Sequence, residues 1–279
     1  MTDPARISGQ LRELTDRLRR ERRLVVAFSG GADSALLAAV AADALGREAL
    51  AVTAVSPSLP HSERFAAREF ARAHRIRHLE VCTDEGGRPE YVRNDGDRCY
   101  HCKSALVDAL SPLAELLDAT VALATNTDDL GDHRPGQRAA TERGLVFPLV
   151  DAGFAKADVR AASRLLGLET ADKPAAACLA SRVAYGDAVT PDLLARIEAA
   201  EEAVRDMGFP VCRVRAHANG TVARLEVPAR DIERAAACRT ALDAALHSAG
   251  FVFGTLDLTG FTSGRLNVLL PLPSVPSTR

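Results

Sequence analysis

The stretch Ser29-Gly30-Gly31-Ala32-Asp33-Ser34 is the richest in groups that could hold an anion. Its two glycines admit backbone angles that other residues resist and let main-chain amides come close to a ligand. Ser29 and Ser34 add hydroxyl donors, and the Asp33 carboxylate could hold a Mg²⁺ that bridges phosphate oxygens. A second group is Cys99-Tyr100-His101-Cys102, flanked by Arg98 and Lys103, and a third cysteine lies in Cys178-Leu179-Ala180-Ser181-Arg182. On spacing alone the C-x-x-C admits a structural zinc half-site, a redox pair, or three-thiolate ligation of an iron–sulfur cluster. Cys82, Cys212 and Cys238 fall where a small hydrophobe is enough. The cluster Asn126-Thr127-Asp128-Asp129 reads equally as a plain Asx turn or as part of a ligand site.

These groups need elements to hold them. Residues 24–28 form a short apolar run that ends at the glycines. An Ala/Leu-rich segment follows over 34–45, with Gly46 placed to cap it, so the pattern is strand, tight turn, helix. That helix would aim its free amides at the loop, which suits a phosphate. Residues 7–23 have helical spacing, as do 61–75, while 48–55 and 76–82 read as strands. The order β-α-β-α-β predicts an α/β fold, a doubly wound parallel sheet with ligands at the strand C-termini. Residues 83–98 are a polar loop too long for a plain connection. A helix over 99–118, interrupted at Pro112, leads to a fourth strand over 120–125 that delivers Asn126 and Asp128 to the ligand side. Helices are expected over 136–143 and 156–166, with a short apolar piece at 146–150 between them.

Beyond residue 175 the pattern changes. Thr190-Pro191 opens a helix as cap and first turn, and Gly208 closes it. Strands over 211–216 and 221–227 join through Asn219-Gly220, a strong hairpin signal. A helix over 228–247 and a strand over 251–258 complete a smaller C-terminal α+β domain. The expected boundaries are 1–175, 176–270 and a Pro/Ser tail at 271–279.

The hairpin carries its own chemistry. A two-residue turn pairs Ala218 with Thr221 and so fixes every other pair. Cys212, Val214, Ala216, Ala223, Leu225 and Val227 then share one apolar face, and Val211, Arg213, Arg215, Arg224 and Glu226 the other. Arg213 sits opposite Glu226, but Arg215 sits opposite Arg224, which costs a few tenths to about 1 kcal/mol. Either the two arginines splay into water, or a bound anion relieves them, since phosphate accepts guanidinium forks bidentately.

Composition narrows the classes. The chain is 47% hydrophobic and 26% charged with a net charge of −2, which predicts a packed globular protein with no basic surface for nucleic acid. The charged stretch 1–20 predicts no secretory leader, and no apolar run would span a bilayer. A cytoplasmic protein with no membrane partner follows, and its six cysteines then favour metal or redox chemistry over disulfides.

Ser-Gly-Gly-x-Asp-Ser after a strand resembles the pyrophosphate loop of the ATP-pyrophosphatase superfamily and lacks the Gly-Lys-Ser/Thr ending of a kinase P-loop. With Arg98-Cys99-Tyr100-His101-Cys102-Lys103, Asn126-Thr127-Asp128-Asp129-Leu130-Gly131-Asp132, Pro135-Gly136 and Cys178-Leu179-Ala180-Ser181-Arg182 in order, residues 11–270 resemble the LarE family. These are ATP-dependent sulfur transferases that build the nickel-pincer nucleotide cofactor of lactate racemase. The resemblance implies an ATP and Mg²⁺ site at Phe28, Ser29, Gly30, Gly31, Asp33, Ser34, Asn126 and Asp128. It implies a small-molecule substrate, pyridinium-3,5-dicarboxylic acid mononucleotide, whose carboxylate is adenylated and then thiolated. Arg182, Arg213, Arg215, Arg224 and Glu226 would bind that substrate, the hairpin arginines its phosphate.

Family members differ over sulfur. Some sacrifice the cysteine matching Cys178; others carry a [4Fe-4S] cluster whose open iron holds a sulfide. With Cys99 and Cys102 beside Cys178, this chain resembles the cluster type, those three cysteines being its metal ligands. The resemblance also implies a homo-oligomer and names no sulfide donor. The competing readings are a tRNA-thiolating enzyme, which predicts a basic groove, an ammonia-using ligase, which needs no cysteine trio, and a zinc-stabilised nucleotide sensor.

Overall fold

A computed structural model describes residues 3–131, 140–174 and 177–262. The chain divides into two compact units. Met1–Glu85 and Cys99–Ala177 form one, Gly86–Arg98 and Cys178–Arg279 the other. Asp132, Pro135 and Gly136, the start of the helix expected at 136–143, the boundary at 175–176 and the tail at 271–279 lie outside the described residues.

In the first unit, α1 (Pro4–Arg20) starts where the Asp3 carboxylate accepts the Ala5 amide at 3.0 Å, and it buries Ile7, Leu14 and Leu18. The strands β1 (Leu24–Ala27), β2 (Ala49–Val55), β3 (His78–Cys82) and β4 (Thr120–Ala122) are all parallel and lie in the order β3-β2-β1-β4. Both sheet faces are covered. On one, Leu24, Val26 and Ala51 pack with α1, α2 (Ala32–Leu45) and Phe70 of α3 (His61–Ala73). On the other, Val25 and Val52 meet Leu110 of α4 (Arg98–Leu117). Burial on both faces explains why β1 reads as an unbroken apolar run. α5 (Lys156–Leu165) packs Val159 and Ala162 into the first layer.

Two expectations change here. Pro112 lies inside α4 without ending it. The buried Leu110 and Ala114 keep the helix on the sheet, and the Ser111 hydroxyl donates to the Val107 carbonyl at 2.8 Å. Packing therefore outweighs a proline cost of about 3 kcal/mol. The fourth strand is also shorter than expected, ending at Ala122, which bridges in parallel to Val146. Among the described residues no helix is long and apolar enough to cross a membrane.

The second unit holds a three-stranded sheet, β5 (Arg213–His217), β6 (Val222–Glu226) and β7 (Phe253–Leu256), with β6 central. β5 and β6 pair antiparallel with Arg213 opposite Glu226 and Arg215 opposite Arg224, the register that Asn219-Gly220 predicts. Gly220 is required twice over: its φ is +80°, and a Cβ there would lie 2.7 Å from Leu193 Cδ1. Leu193 belongs to α6 (Pro191–Asp206), whose cap is the Thr190 hydroxyl accepting the Leu193 amide at 3.2 Å. α7 (Ile232–Ala237) and α8 (Arg239–Ser248) follow the sheet.

Residues 86–98 are tied into this unit by Asn94, which is fully buried with φ at +60°. Its amide nitrogen donates to the carbonyls of Ala184 at 2.7 Å and Asp187 at 3.1 Å, and its oxygen accepts from Arg98. Arg98 also donates to the Ala180 carbonyl at 2.9 Å. Asn94→Ala should cost about 2–4 kcal/mol, because it strands buried partners and leaves alanine in a left-handed backbone. Asn94→Gly should recover only the backbone part, about 1 kcal/mol. Urea denaturation of the three proteins tests this; equal stability of Ala and Gly variants would discard the backbone share.

Candidate functional site

The sheet order puts the ends of β1 and β4 side by side, the position at which a doubly wound sheet opens toward ligands. Phe28, expected at the nucleotide, has its side chain in the core, 2% exposed, with its ring 5.8 Å from that of Phe70. Its carbonyl accepts the Thr53 hydroxyl at 2.8 Å, so the His78 Nε2 at 2.8 Å from that hydroxyl is the donor. Burial lowers the His78 pKa, which keeps the ring neutral. The chain therefore reaches the loop on a fixed track.

Gly30 turns the loop with φ at +72°, and a Cβ there would sit 3.1 Å from Ala67 Cβ and 3.2 Å from Ala67 Cα. Both the backbone angle and the close approach to α3 disfavour a side chain. Ser29 and Ser34 hydroxyl oxygens lie 3.1 Å apart, and the Ser34 hydroxyl donates to the Gly31 carbonyl at 3.1 Å. Gly31 caps α2 without a side-chain bond, so the first amides of that helix keep their donors.

Asp33, in the first turn of α2, meets two groups that lie far along the chain. The Asn126 amide donates to its Oδ1 at 3.1 Å, and the Lys156 ammonium lies 2.5 Å from its Oδ2. Asn126 Oδ1 accepts the Asp128 amide at 3.0 Å, and Asp128 Oδ2 accepts the Lys156 amide at 2.9 Å. Lys173 approaches the loop too, donating to the Gly30 carbonyl at 3.0 Å while its ammonium lies 2.7 Å from Glu63 Oε2. No motif marked either lysine. The only hint is that each follows an apolar segment at the end of the first unit.

The cysteines divide by access. Cys99 is exposed and Cys102 half-buried on the first turn of α4, Cys178 is exposed, and Cys212 is buried. Burial pushes the Cys212 thiol up to about 11. Among the described residues no group of three or more His, Cys, Asp or Glu side chains gathers as a metal site. A four-iron cluster needs such a set. Of the three expected ligands, Cys99 and Cys102 belong to the first unit and Cys178 to the second, so neither unit by itself holds the set.

In the second unit, Arg182 follows Cys178 through one helical turn, Leu179–Arg182. Its guanidinium binds the fully buried Glu201 at 3.0 and 3.3 Å, while Nη1 donates to the Cys178 carbonyl at 2.8 Å. Arg182, expected to bind substrate, thus also holds the Cys178 turn. The hairpin face that carries these charges is buried: Glu226 is 0% and Arg215 6% exposed. Glu226, directly opposite Arg213, does not pair with it. Its carboxylate takes Arg215 and Arg224, each at 3.0 Å, and Arg224 also meets Asp257. The like-charge pair is thus relieved from within the protein. Arg213 is left with the Cys212 carbonyl at 2.7 Å and the Phe261 ring at 5.2 Å, and has no carboxylate partner among the described residues. Burial and the neighbouring Arg182 charge lower its pKa, as befits a cation short of counter-charge.

The asparagine synthase family model matches residues 8–93, the part that contains the glycine loop. An uncharacterized protein of Synechocystis is 43% identical over 251 residues, 89% of this chain and 93% of the relative. The pyridinium-3,5-bisthiocarboxylic acid mononucleotide synthase of Lactiplantibacillus plantarum is 36% identical over 258 residues, 88% of this chain and 89% of the relative. An uncharacterized protein of Methanocaldococcus jannaschii is 26% identical over 208 residues, 74% of this chain and 79% of the relative.

Thiol access is directly measurable. Brief alkylation of the reduced native protein at pH 8 should modify Cys99, Cys178, Cys82 and Cys238, all exposed, and spare Cys212. Peptide mass spectrometry reads the sites. Early labelling of Cys212 would contradict its buried position.

Proposed function

The chain belongs to the LarE family, ATP-dependent sulfurtransferases that make a thiocarboxylate, and from that membership we propose a specific reaction. The substrate is pyridinium-3,5-dicarboxylic acid mononucleotide. A ring carboxylate oxygen attacks the α-phosphorus of ATP, the bond to the β-phosphate breaks, and pyrophosphate leaves. A sulfur nucleophile then attacks the acyl carbon and AMP departs with the former carboxylate oxygen. The order follows from leaving-group chemistry: oxide cannot leave a carboxylate, whereas AMP can leave an acyl adenylate.

One observation carries the adenylating half. Gly30, with φ at +72° and Ala67 close against it, turns the backbone of the loop directly into the N-terminus of α2. Amides so placed stabilise the charge that builds on departing pyrophosphate. The Asp33 carboxylate, a hard oxygen donor that already draws an ammonium, suits Mg²⁺ and would hold it. When bound, that ion supplies neutralisation of phosphate charge.

In the second unit, Arg213 is our choice for the nucleotide's phosphate, since it alone of Arg182, Arg213, Arg215 and Arg224 lacks a carboxylate partner among the described residues. Arg213→Ala should raise KM for the dicarboxylate nucleotide about tenfold or more, the worth of a charge-assisted bond, and leave KM for ATP within about threefold. Arg215→Ala should instead lower the melting temperature, because it unbalances the buried Glu226. Steady-state kinetics and thermal unfolding separate the two. A KM effect confined to Arg215→Ala would return the phosphate to that residue.

The sulfur half rests on the family resemblance and on accessible thiols. Cys178 takes part either as a ligand, with Cys99 and Cys102, of a [4Fe-4S] cluster that carries sulfide, or as the donor itself. In the donor route its thiolate forms a thioester as AMP leaves. Loss of the Cα proton then breaks the Cβ–S bond, which releases the thiocarboxylate and leaves dehydroalanine. Anaerobic purification with iron and sulfide analysis, then turnover and mass spectrometry, distinguishes them. We expect iron and sulfide that are lost in Cys99→Ala, Cys102→Ala and Cys178→Ala. Colourless protein whose Cys178 loses the mass of H₂S would assign the donor route. Pyrophosphate release that does not depend on the dicarboxylate nucleotide would refute the substrate.

A further inference from the structure

We propose that Phe261 is a positioning residue of the phosphate site in the second unit, its ring holding the Arg213 guanidinium still while leaving the donors free that a phosphate takes. The inference rests on the assignment of Arg213 to the nucleotide's phosphate above and adds the residue that readies it.

An arginine that waits for a ligand has to be held beforehand, because ordering so long a side chain at the moment of binding costs affinity. Carboxylates do the holding for its neighbours, Glu201 for Arg182 and Glu226 for Arg215 and Arg224. Such a partner takes up N–H donors with its oxygens and cancels the charge that an anion seeks. An aromatic ring acts differently. Its quadrupole draws the cation over the ring face, and it offers no oxygen to occupy the guanidinium fork.

Arg213 has this second kind of partner. Its guanidinium carbon lies over the Phe261 ring, 5.2 Å from the centre. One donor, on Nη1, goes to the Cys212 carbonyl at 2.7 Å. A guanidinium carries five donors, and no other acceptor among the described residues takes one of the remaining four. The same contact has a structural use elsewhere in the unit. Arg196 lies over Phe251 but spends its donors on the carbonyls of Gly220, Ala249 and Gly250. Arg234 lies over Phe209 but donates to the Gly208 carbonyl and has Asp231 beside it. Arg213 is the arginine that a ring holds and little else engages.

The chain after β7 is built to deliver that ring. Asp257 is buried, and its Oδ1 accepts the Thr259 amide at 2.9 Å, the Thr259 hydroxyl at 2.7 Å and the Gly260 amide at 3.1 Å. Its Oδ2 meets Arg224, which ties this turn to the buried Glu226 cluster. Gly260 then reverses the chain with φ at +80°, and a Cβ there would lie 2.8 Å from the Val227 carbonyl oxygen. The Phe261 amide donates to that same carbonyl at 2.8 Å. Val227 directly follows Glu226, the residue opposite Arg213 in the hairpin. The backbone of Phe261 is thus fastened at the end of the sheet where Arg213 stands, which a residue serving only as a chain end would not need.

The test is calorimetric titration of the full chain with pyridinium-3,5-dicarboxylic acid mononucleotide. Phe261→Leu should bind it about three- to tenfold more weakly, the worth of a cation–π contact, with unchanged ATP affinity and melting temperature. Phe261→Tyr should stay within about twofold of wild type, since the ring is kept. Arg213→Ala should lose more, and adding Phe261→Leu to it should weaken binding no further, because the ring acts only through the arginine. Were Phe261→Leu to lower the melting temperature, Phe261→Met would repeat the titration. Wild-type affinity in the variants without a ring would overturn the proposal. So would a further loss from Phe261→Leu on the Arg213→Ala background, which would put the ring on the ligand itself. Wild-type affinity in Arg213→Ala would overturn this inference and the phosphate assignment together, whereas a weakened Arg213→Ala beside an unimpaired Phe261→Leu would overturn this inference alone.

Discussion

The constraint on which the first unit depends is the turn at Gly30, where φ is +72° and an added Cβ would press on Ala67 at 3.1 Å. The contact works in two directions. It disfavours a side chain at Gly30, and it presses the loop against α3, so the turn cannot relax outward. Lys173 completes the restraint by holding the Gly30 carbonyl, which turns that oxygen away from an incoming anion. The rest of the unit serves this arrangement. Apolar packing on both faces of β1 delivers the chain to one spot, and the Thr53 hydroxyl fixes the Phe28 carbonyl one residue before the loop.

The second unit is governed by charge kept out of water. Glu201 and Glu226 are each fully buried, and each holds two arginines, Arg182 with Arg205 and Arg215 with Arg224. Burying a carboxylate is costly unless charged donors surround it, and in exchange the donors lose their freedom. That loss is the useful part. Arg182, once clamped, presents a fixed nitrogen to the Cys178 carbonyl. Arg213 is left out of both clusters, against the Cys212 carbonyl and the Phe261 ring.

Local rules made the loop and the hairpin readable. Two glycines after an apolar run can do little but turn, and Asn219-Gly220 sets a register that the strands then obey. Which carboxylate meets which arginine was not readable, because register fixes only the backbone. Glu226 lies opposite Arg213 yet bends diagonally to Arg215 and Arg224. Phe28 illustrates a related point: its place before the loop suggested the ligand, and its side chain packs in the core, which leaves its main chain as the part nearest the loop. Lys156 and Lys173 lie 123 and 143 residues from their partners on the loop, and no spacing rule reaches that far. Pro112 shows the limit of propensity, since a helix pinned by burial runs through it.

The placement of Gly86–Arg98 has a consequence for biosynthesis. During translation this segment emerges between two stretches of the first unit, yet its partners in the second begin only at Cys178. Asn94 must therefore wait for its partners, the carbonyls of Ala184 and Asp187, until some ninety residues more have been made, about five to twenty seconds at ribosomal speed. A fragment ending before Cys178 would strand it permanently. A nascent polypeptide with this order of segments has the whole first unit by Ala177, while the second, although its first segment is made early, can close only well after that.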